Sequence, residues 1–192
     1  MAFRTERDPL GELNVPAEAY YGIQTARAVD NFSISGLRAP ADLVTATIFV
    51  KKAAAEANAS LGRLDRDVAR AIVAAADEVL AGGLRDQFVV DVYQAGAGTS
   101  HNMNANEVLA NRAAELLGEP RGTYARVHPN DHVNMGQSTN DVFPAATRLA
   151  LLLGHAPLVA AATDLAASFS RKSEAFAAVL KTGRMHLQDA VP

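Results

Sequence analysis

The stretch LVAAATDLAASFSRKSEAFAAV, residues 158–179, places apolar side chains at Leu158, Ala162, Leu165, Phe169, Phe176 and Val179, with Lys172 interrupting the series. Steps of four and three residues return these positions to one side of a helix, the seam spacing of helices packed in a long bundle. A stripe of this length needs covering helices. The rest of the chain offers it no partner, so the covering helices are expected beyond Pro192 or on other subunits, and the sequence reads as one that stops inside a bundle.

Working back from that stretch, the spacing predicts four more helices. One runs over 42–61, with Val44, Ile48, Ala55 and Ala59 on its apolar face, Asp42 as N-cap and Gly62 as its stop. A second runs over 65–81, where Asp65 caps, Val68, Ile72, Val79 and Leu80 form the stripe, and Gly82 and Gly83 end it; the two are expected to form a helical hairpin. A third is expected over 104–117, ending at Gly118. A fourth starts within 138–141, with Pro144 in its first turn, and ends at Gly154, which leaves His155 in an inter-helix turn. The opening stretch to Ala41 contains Pro9, Gly11, Pro16, Gly22, Gly36 and Pro40, spaced so that extended segments and turns are expected and no helix of ordinary length. The fold class is therefore mainly α: an N-terminal helical domain with an extended, turn-rich start over residues 1–137, then the first part of a long central helical bundle over 138–192.

Composition narrows the function classes. A chain of 192 residues with 49% hydrophobic and 20% charged residues is globular in balance. Its net charge of -3, with both signs interspersed, provides no basic field for a phosphate backbone, so nucleic acid is not an expected partner. No apolar run is read as approaching bilayer length, and Arg4, Glu6, Arg7 and Asp8 leave no apolar leader, so no membrane association and a cytoplasmic location are expected. Cysteine is absent, which removes disulfides, thiolate metal sites and cysteine nucleophiles and leaves oxygen and nitrogen groups for any chemistry.

Three polar strings exceed what a core requires. The first, Gly96-Ala-Gly-Thr-Ser-His-Asn-Met-Asn-Ala-Asn-Glu107, sets two glycines, hydroxyls and amides ahead of a helix. Small residues there let a ligand approach the backbone, but no Gly-Lys-Ser/Thr follows, so a phosphate cradle is not indicated and a capped helix start remains open. The second, His128-Pro-Asn-Asp-His-Val-Asn-Met-Gly-Gln-Ser-Thr-Asn-Asp141, ends with Ser138, Thr139 and Asn140 at the mouth of a helix. Unpaired N–H groups and the positive end of the helix dipole favour an anion there, and a carboxylate is the natural guest; simple N-capping by Ser138 or Thr139 stays open beside it. His128, Asp131 and His132 are ligand types that zinc accepts, yet Pro129 opposes a helix presenting both rings and the spacing matches no metal pattern, so no metal is expected. The third, Gly183-Arg-Met-His-Leu-Gln-Asp-Ala-Val-Pro192, gathers Arg184, His186 and Asp189 after the long helix.

Together these strings resemble the three-part substrate site of the aspartase/fumarase superfamily, which also includes argininosuccinate and adenylosuccinate lyases. The first is similar to a glycine-threonine turn leading into Asn-Met-Asn-x-Asn-Glu, the second to His-Pro-Asn-Asp-x-Val-Asn-x-x-Gln-Ser-x-Asn-Asp, and the third to Gly-Arg-Thr-His-x-Gln-Asp-Ala. Tyr20 to Thr25, Gly96 to Ser100 and Leu187 to Pro192 look more like the aspartase than the class II fumarase form. The resemblance implies an elimination from L-aspartate giving fumarate and ammonia, reversible and without organic cofactor, with fumarate hydration as the alternative reaction and a catalytically silent module as a third reading. It further implies that Thr99, Ser138 and Thr139 grip a carboxylate, that Asn140 and the catalytic His186 sit near the amino group or second carboxylate, and that His128, Asn130 and Asp131 form a secondary anion site. Active sites assembled from three subunits of a homotetramer are implied as well. Two departures stand out: Met185 replaces a threonine, and the family's loop carrying the serine base has no counterpart in these residues.

Overall fold

The structure, a computed structural model, describes residues 2–190. The chain divides into two compact units, Met1–Leu151 and Leu152–Pro192. Unit one opens with an antiparallel hairpin, β1 (Phe3–Asp8) and β2 (Gly11–Pro16), in the register Phe3 opposite Pro16 to Asp8 opposite Gly11. Arg4 ties this hairpin to the segment after it by donating to the carbonyls of Pro16, Ala17, Ala19 and Tyr21 at 2.7 to 3.1 Å.

A helix comes next where none was expected. α1 (Ile23–Asn31) is short, and Gly22 at its N-cap supplies no side-chain acceptor. The acceptors come from distant segments. Glu107 receives the N–H groups of Gly22, Gln24 and Thr25 at 2.9 to 3.0 Å, and Glu6 receives that of Ile23 at 2.8 Å. Two carboxylates thus satisfy the donors and the dipole of a helix start that its own residues leave open. Gly22 is required because a Cβ there would lie 2.0 Å from the Tyr124 hydroxyl oxygen and 2.8 Å from Glu6 Oε2.

α2 (Ala41–Ser60) and α3 (Arg66–Leu80) form the expected hairpin. α2 starts one residue earlier than predicted, with Pro40 at the N-cap and Asp42 in the first turn, where its charge complements the dipole. Asp65 caps α3 as predicted, accepting from Asp67 N and Val68 N at 2.9 and 3.1 Å. α4 (Thr99–Leu116) begins five residues before the predicted start because Gly98, at φ +72°, turns the chain directly into the helix. The core joins Val44 and Ile48 of α2, Ile72 and Val79 of α3, and Val108 and Leu109 of α4. Each such side chain contributes about 1.5–3 kcal/mol by leaving water.

α5 (Thr139–Ala175) corrects several expectations at once. It does not stop at Gly154, His155 is helical, and Pro157 is carried within it. Phe176 and Val179 fall just beyond its end rather than on it. Because the run is continuous, an 18-residue window of α5 is long and apolar enough to cross a membrane by length and composition, contrary to the expectation that no run approached that length. In unit two the stripe is exposed as expected, with Leu158, Leu165 and Phe169 between 58% and 69% accessible. The unit ends in a small hairpin, β3 (Arg184–Met185) paired with β4 (Gln188–Asp189).

Candidate functional site

The first and second strings meet inside unit one. The first forms the opening of α4. From its buried inner face Asn102 Nδ2 donates to Thr139 Oγ1 and to Asn134 Oδ1, both at 3.2 Å, and Asn106 Nδ2 donates to Asn134 Oδ1 at 3.3 Å. Asn134 Nδ2 in turn donates to the Gln137 carbonyl at 3.1 Å, which closes the turn just ahead of α5. Asn102 Oδ1 and Asn106 Oδ1 are buried and receive no donor from the described residues. A stretch of asparagines in a helix start is thereby used to fix the mouth of another helix.

At that mouth Ser138 caps α5. Its Oγ accepts from Asn140 N at 3.3 Å, and its carbonyl accepts from Asp141 N and Val142 N at 3.0 Å. Thr139 and Asn140 are the first two residues of α5; Asn140 and Ser138 are exposed, and Thr139 is half-buried. Thr99, the first residue of α4, is also exposed. Gly98 before it packs so closely on Phe143 of α5 that a Cβ would fall 2.2 Å from the ring, and the His101 and Phe143 rings meet edge to face at 6.0 Å. Of the two readings that the sequence left open, the Ser138 cap is present at this helix start.

Two groups missed in the sequence lie behind this mouth. Lys51 of α2 is fully buried and donates from Nζ to Asn134 Oδ1 at 2.8 Å and Gln137 Oε1 at 2.9 Å. Burial lowers its pKa to about 7. His101 of α4 is 3% exposed, and burial, assisted by the Lys51 charge, lowers its pKa to about 4, so the ring is neutral. Thr47 Oγ1 donates to the Leu43 carbonyl at 2.8 Å, so it accepts from His101 Nε2–H at 2.9 Å, which assigns the tautomer. A signal for Lys51 existed: residues 44, 48, 51 and 55 share one face of α2, and the other three are apolar and buried.

The secondary-site residues form a separate turn. His128 Nδ1 accepts from Asn130 N and Asp131 N at 3.3 and 3.2 Å and lies 3.3 Å from Asp131 Oδ2, while His132 Nδ1 accepts from His128 N at 2.8 Å. Nδ1 of each ring is engaged with backbone, as in a capped polar loop. The third string belongs to unit two, where His186 sits at the tip of the β3–β4 hairpin with φ +55°, exposed, lining a shallow pocket of about 370 Å³ with Met185, Leu187 and Gln188. Val191 and Pro192 of that string lie outside the described residues, as does the side chain of Asp189. A larger groove of about 770 Å³ runs along α2 and α3 past Glu56, Arg66, Arg70 and Asp77, and none of the predicted site residues lines it.

The fold and the joined strings define a helical protein with a polar helix mouth supported by buried amides. The chain belongs to the lyase family, which it matches over residues 11–192, and within it to the aspartase/fumarase superfamily. It is 53% identical to an aspartate ammonia-lyase of a Bacillus species, over 98% of this chain and 40% of the relative, and 59% identical to a class II fumarate hydratase of Halobacterium salinarum, over 99% and 40%. Among solved structures it superposes on a Brucella melitensis fumarate lyase:delta crystallin with a TM-score of 0.85 and 56% identity, covering 100% of this chain and 45% of that one. A class II fumarase from Schistosoma mansoni gives 0.82 at 42% identity, over 100% and 40%. The chain spans about 40% of the length of the curated relatives it matches.

Proposed function

We propose that this chain forms part of a carbon–nitrogen lyase of the aspartate ammonia-lyase type, eliminating ammonia reversibly from L-aspartate to give fumarate without an organic cofactor. The observation that carries the reading is the hydrogen bond from Asn102 to Thr139, which joins the first two polar strings at a helix start suited to a carboxylate. Removing the proton beside the β-carboxylate develops a doubly charged aci-carboxylate, and preorganised donors that meet that charge lower the barrier. In this role Thr99, Ser138 and Thr139 hold the carboxylate. Asn140 and the exposed imidazole of His186 contact the amino group or the second carboxylate, with His186 as the catalytic group of this chain. His128, Asn130 and Asp131 form a secondary anion site. The serine base of the resembled family would come from a segment without counterpart in these 192 residues.

The active site would be completed by other copies in a homotetramer, with the exposed stripe of α5 covered by further helices, and the protein would work in the cytoplasm. The domain division at residues 137 and 138 belongs to this proposal too. It makes the mouth of α5 the boundary between the N-terminal domain and the bundle.

Class II fumarate hydratase is the second reading, favoured by the Halobacterium salinarum relative at 59% identity. Tyr20 and Gly22 act in the scaffold, Tyr20 donating to Glu115 at 2.7 Å and Gly22 to Glu107, so the substrate preference rests on the turn before Thr99 and on the third string. Following fumarate absorbance with L-aspartate and L-malate on the purified protein at its natural length separates the readings. Fumarate from aspartate and not malate is the expected result; turnover of malate alone makes the protein a hydratase.

A further inference from the structure

We propose that Lys51 is a positioning residue for the mouth of α5, its buried ammonium holding residues 133–139 in place and lending positive charge to a dicarboxylate seated at Ser138 and Thr139. The inference deepens the lyase reading and rests on it for the identity of the ligand.

The geometry makes Lys51 the anchor of that segment. Its two bonds go to the side chains of Asn134 and Gln137, and Gln137 Nε2 continues to the Val133 carbonyl at 2.8 Å. Asn134 Oδ1 collects donors from Lys51, Asn102 and Asn106, and Asn102 shares its amide with Thr139 Oγ1. The chain of contacts from Nζ to the proposed carboxylate grip therefore passes through two amides and no flexible loop. A change at Lys51 reaches Thr139 through Asn134 and Asn102.

Stability alone does not account for the residue. Among the described residues no carboxylate lies within ion-pair distance of Lys51, so its charge is buried against carbonyl oxygens only. A buried unpaired ammonium is costly, and an apolar side chain of similar volume would suit the face shared with Val44, Ile48 and Ala55 better. Two further buried acceptors, Asn102 Oδ1 and Asn106 Oδ1, lack donors in the same cluster. Such departures from optimal packing concentrate where a site demands them.

The charge also has no competitor. His101 of α4 is the titratable group facing Lys51, and it is neutral with its Nε2–H committed to Thr47; the 133–139 segment turns only amides towards it. Burial brings the ammonium's pKa to about 7, so the positive charge behind the mouth fades as pH rises past neutrality.

The test uses the protein at natural length, comparing wild type with Lys51→Gln, which keeps an N–H donor and removes the charge. Succinate affinity by calorimetry, KM and kcat for L-aspartate, and the thermal midpoint are measured from about pH 6 to about pH 9. Expected are a KM and a succinate Kd raised about tenfold in the variant, kcat changed less than about threefold, and loss of the wild-type weakening of binding above neutral pH. A variant with a lowered thermal midpoint but wild-type KM and pH profile would overturn the inference and leave the lyase reading intact. Succinate binding that depends on Lys51 in a protein that turns over neither substrate would uphold the inference and sink the lyase reading; absence of both binding and turnover sinks both. Should Lys51→Gln fail to fold, Lys51→Met is read in its place, and wild-type succinate affinity and KM in that variant contradict the proposal.

Discussion

Two regions of this chain invert the usual partition of residues. Around the start of α4 the amides of Asn104 and Asn106, the Lys51 ammonium and the Glu107 carboxylate are essentially inaccessible, while along residues 152–180 Leu158, Phe169 and Leu180 are 69%, 69% and 88% exposed. Burying polar groups and exposing apolar ones both cost free energy unless partners offset them. The first is mostly resolved within one unit, by hydrogen bonds that fix a helix start. The second has no covering partner among the described residues. On the proposed reading, the polar positions hold the chemistry and the apolar positions the assembly around it.

The largest effect should come from breaking the second region. Replacing Leu165 and Phe169 together by aspartate puts two carboxylates in the proposed bundle seam, at several kcal/mol each when desolvated. In the natural-length protein this double variant is expected to dissociate the oligomer and to lower turnover by more than about a hundredfold, given active sites assembled between subunits. Light scattering and the fumarate assay read the two outcomes. An intact, active oligomer would show that the stripe is not the seam.

Breaking the first region gives the next effect. Glu107→Ala strands the N–H groups of Gly22, Gln24 and Thr25 at a buried helix start. At about 1–3 kcal/mol for each buried donor left unpaired, a loss of about 3 kcal/mol or more is expected in urea unfolding. Burial pushes the Glu107 carboxyl pKa up, and the three N–H bonds pull against it. A loss below about 1 kcal/mol would mean that α1 holds its start without this carboxylate.

The buried imidazole sharpens the same region through pH. His101 has its pKa lowered from 6.5 to about 4, so between those values the unfolded chain binds more protons than the folded one. Stability from this group is fully present above about pH 6.5 and is lost as pH falls towards 4, by about 3 kcal/mol in all. Urea midpoints at a series of pH values, compared with those of His101→Gln, isolate the contribution. Parallel pH profiles for the two proteins would show that the ring is not buried neutral.

How much of this was legible beforehand divides along physical lines. Local signals were readable: Asp65 as a cap, Gly62 and Gly118 as stops, and the α5 stripe all stem from neighbouring residues. The three polar strings were visible because so many amides and hydroxyls in succession suit no apolar core. What the sequence hid was tertiary. α1 is capped by carboxylates from other segments, so no local cap announced it. Gly154 looked like a break because propensity weighs it singly, whereas the long apolar run carries the helix past it. Lys51 was not singled out, because its burial depends on α4 and the 133–139 segment closing over it.

The smallest prediction tests that local category by itself. Asp65 accepts from Asp67 N and Val68 N at the start of α3, is exposed, and touches neither the amide cluster nor the stripe. The two backbone bonds hold its carboxyl pKa below the usual range. Asp65→Ala should lower the urea midpoint modestly through loss of the cap, Asp65→Ser should restore most of it, and turnover should stay at the wild-type level. A larger loss, or one that serine does not recover, would mean that the α2–α3 connection contributes more than a cap and that the two regions are coupled through the hairpin that carries Lys51.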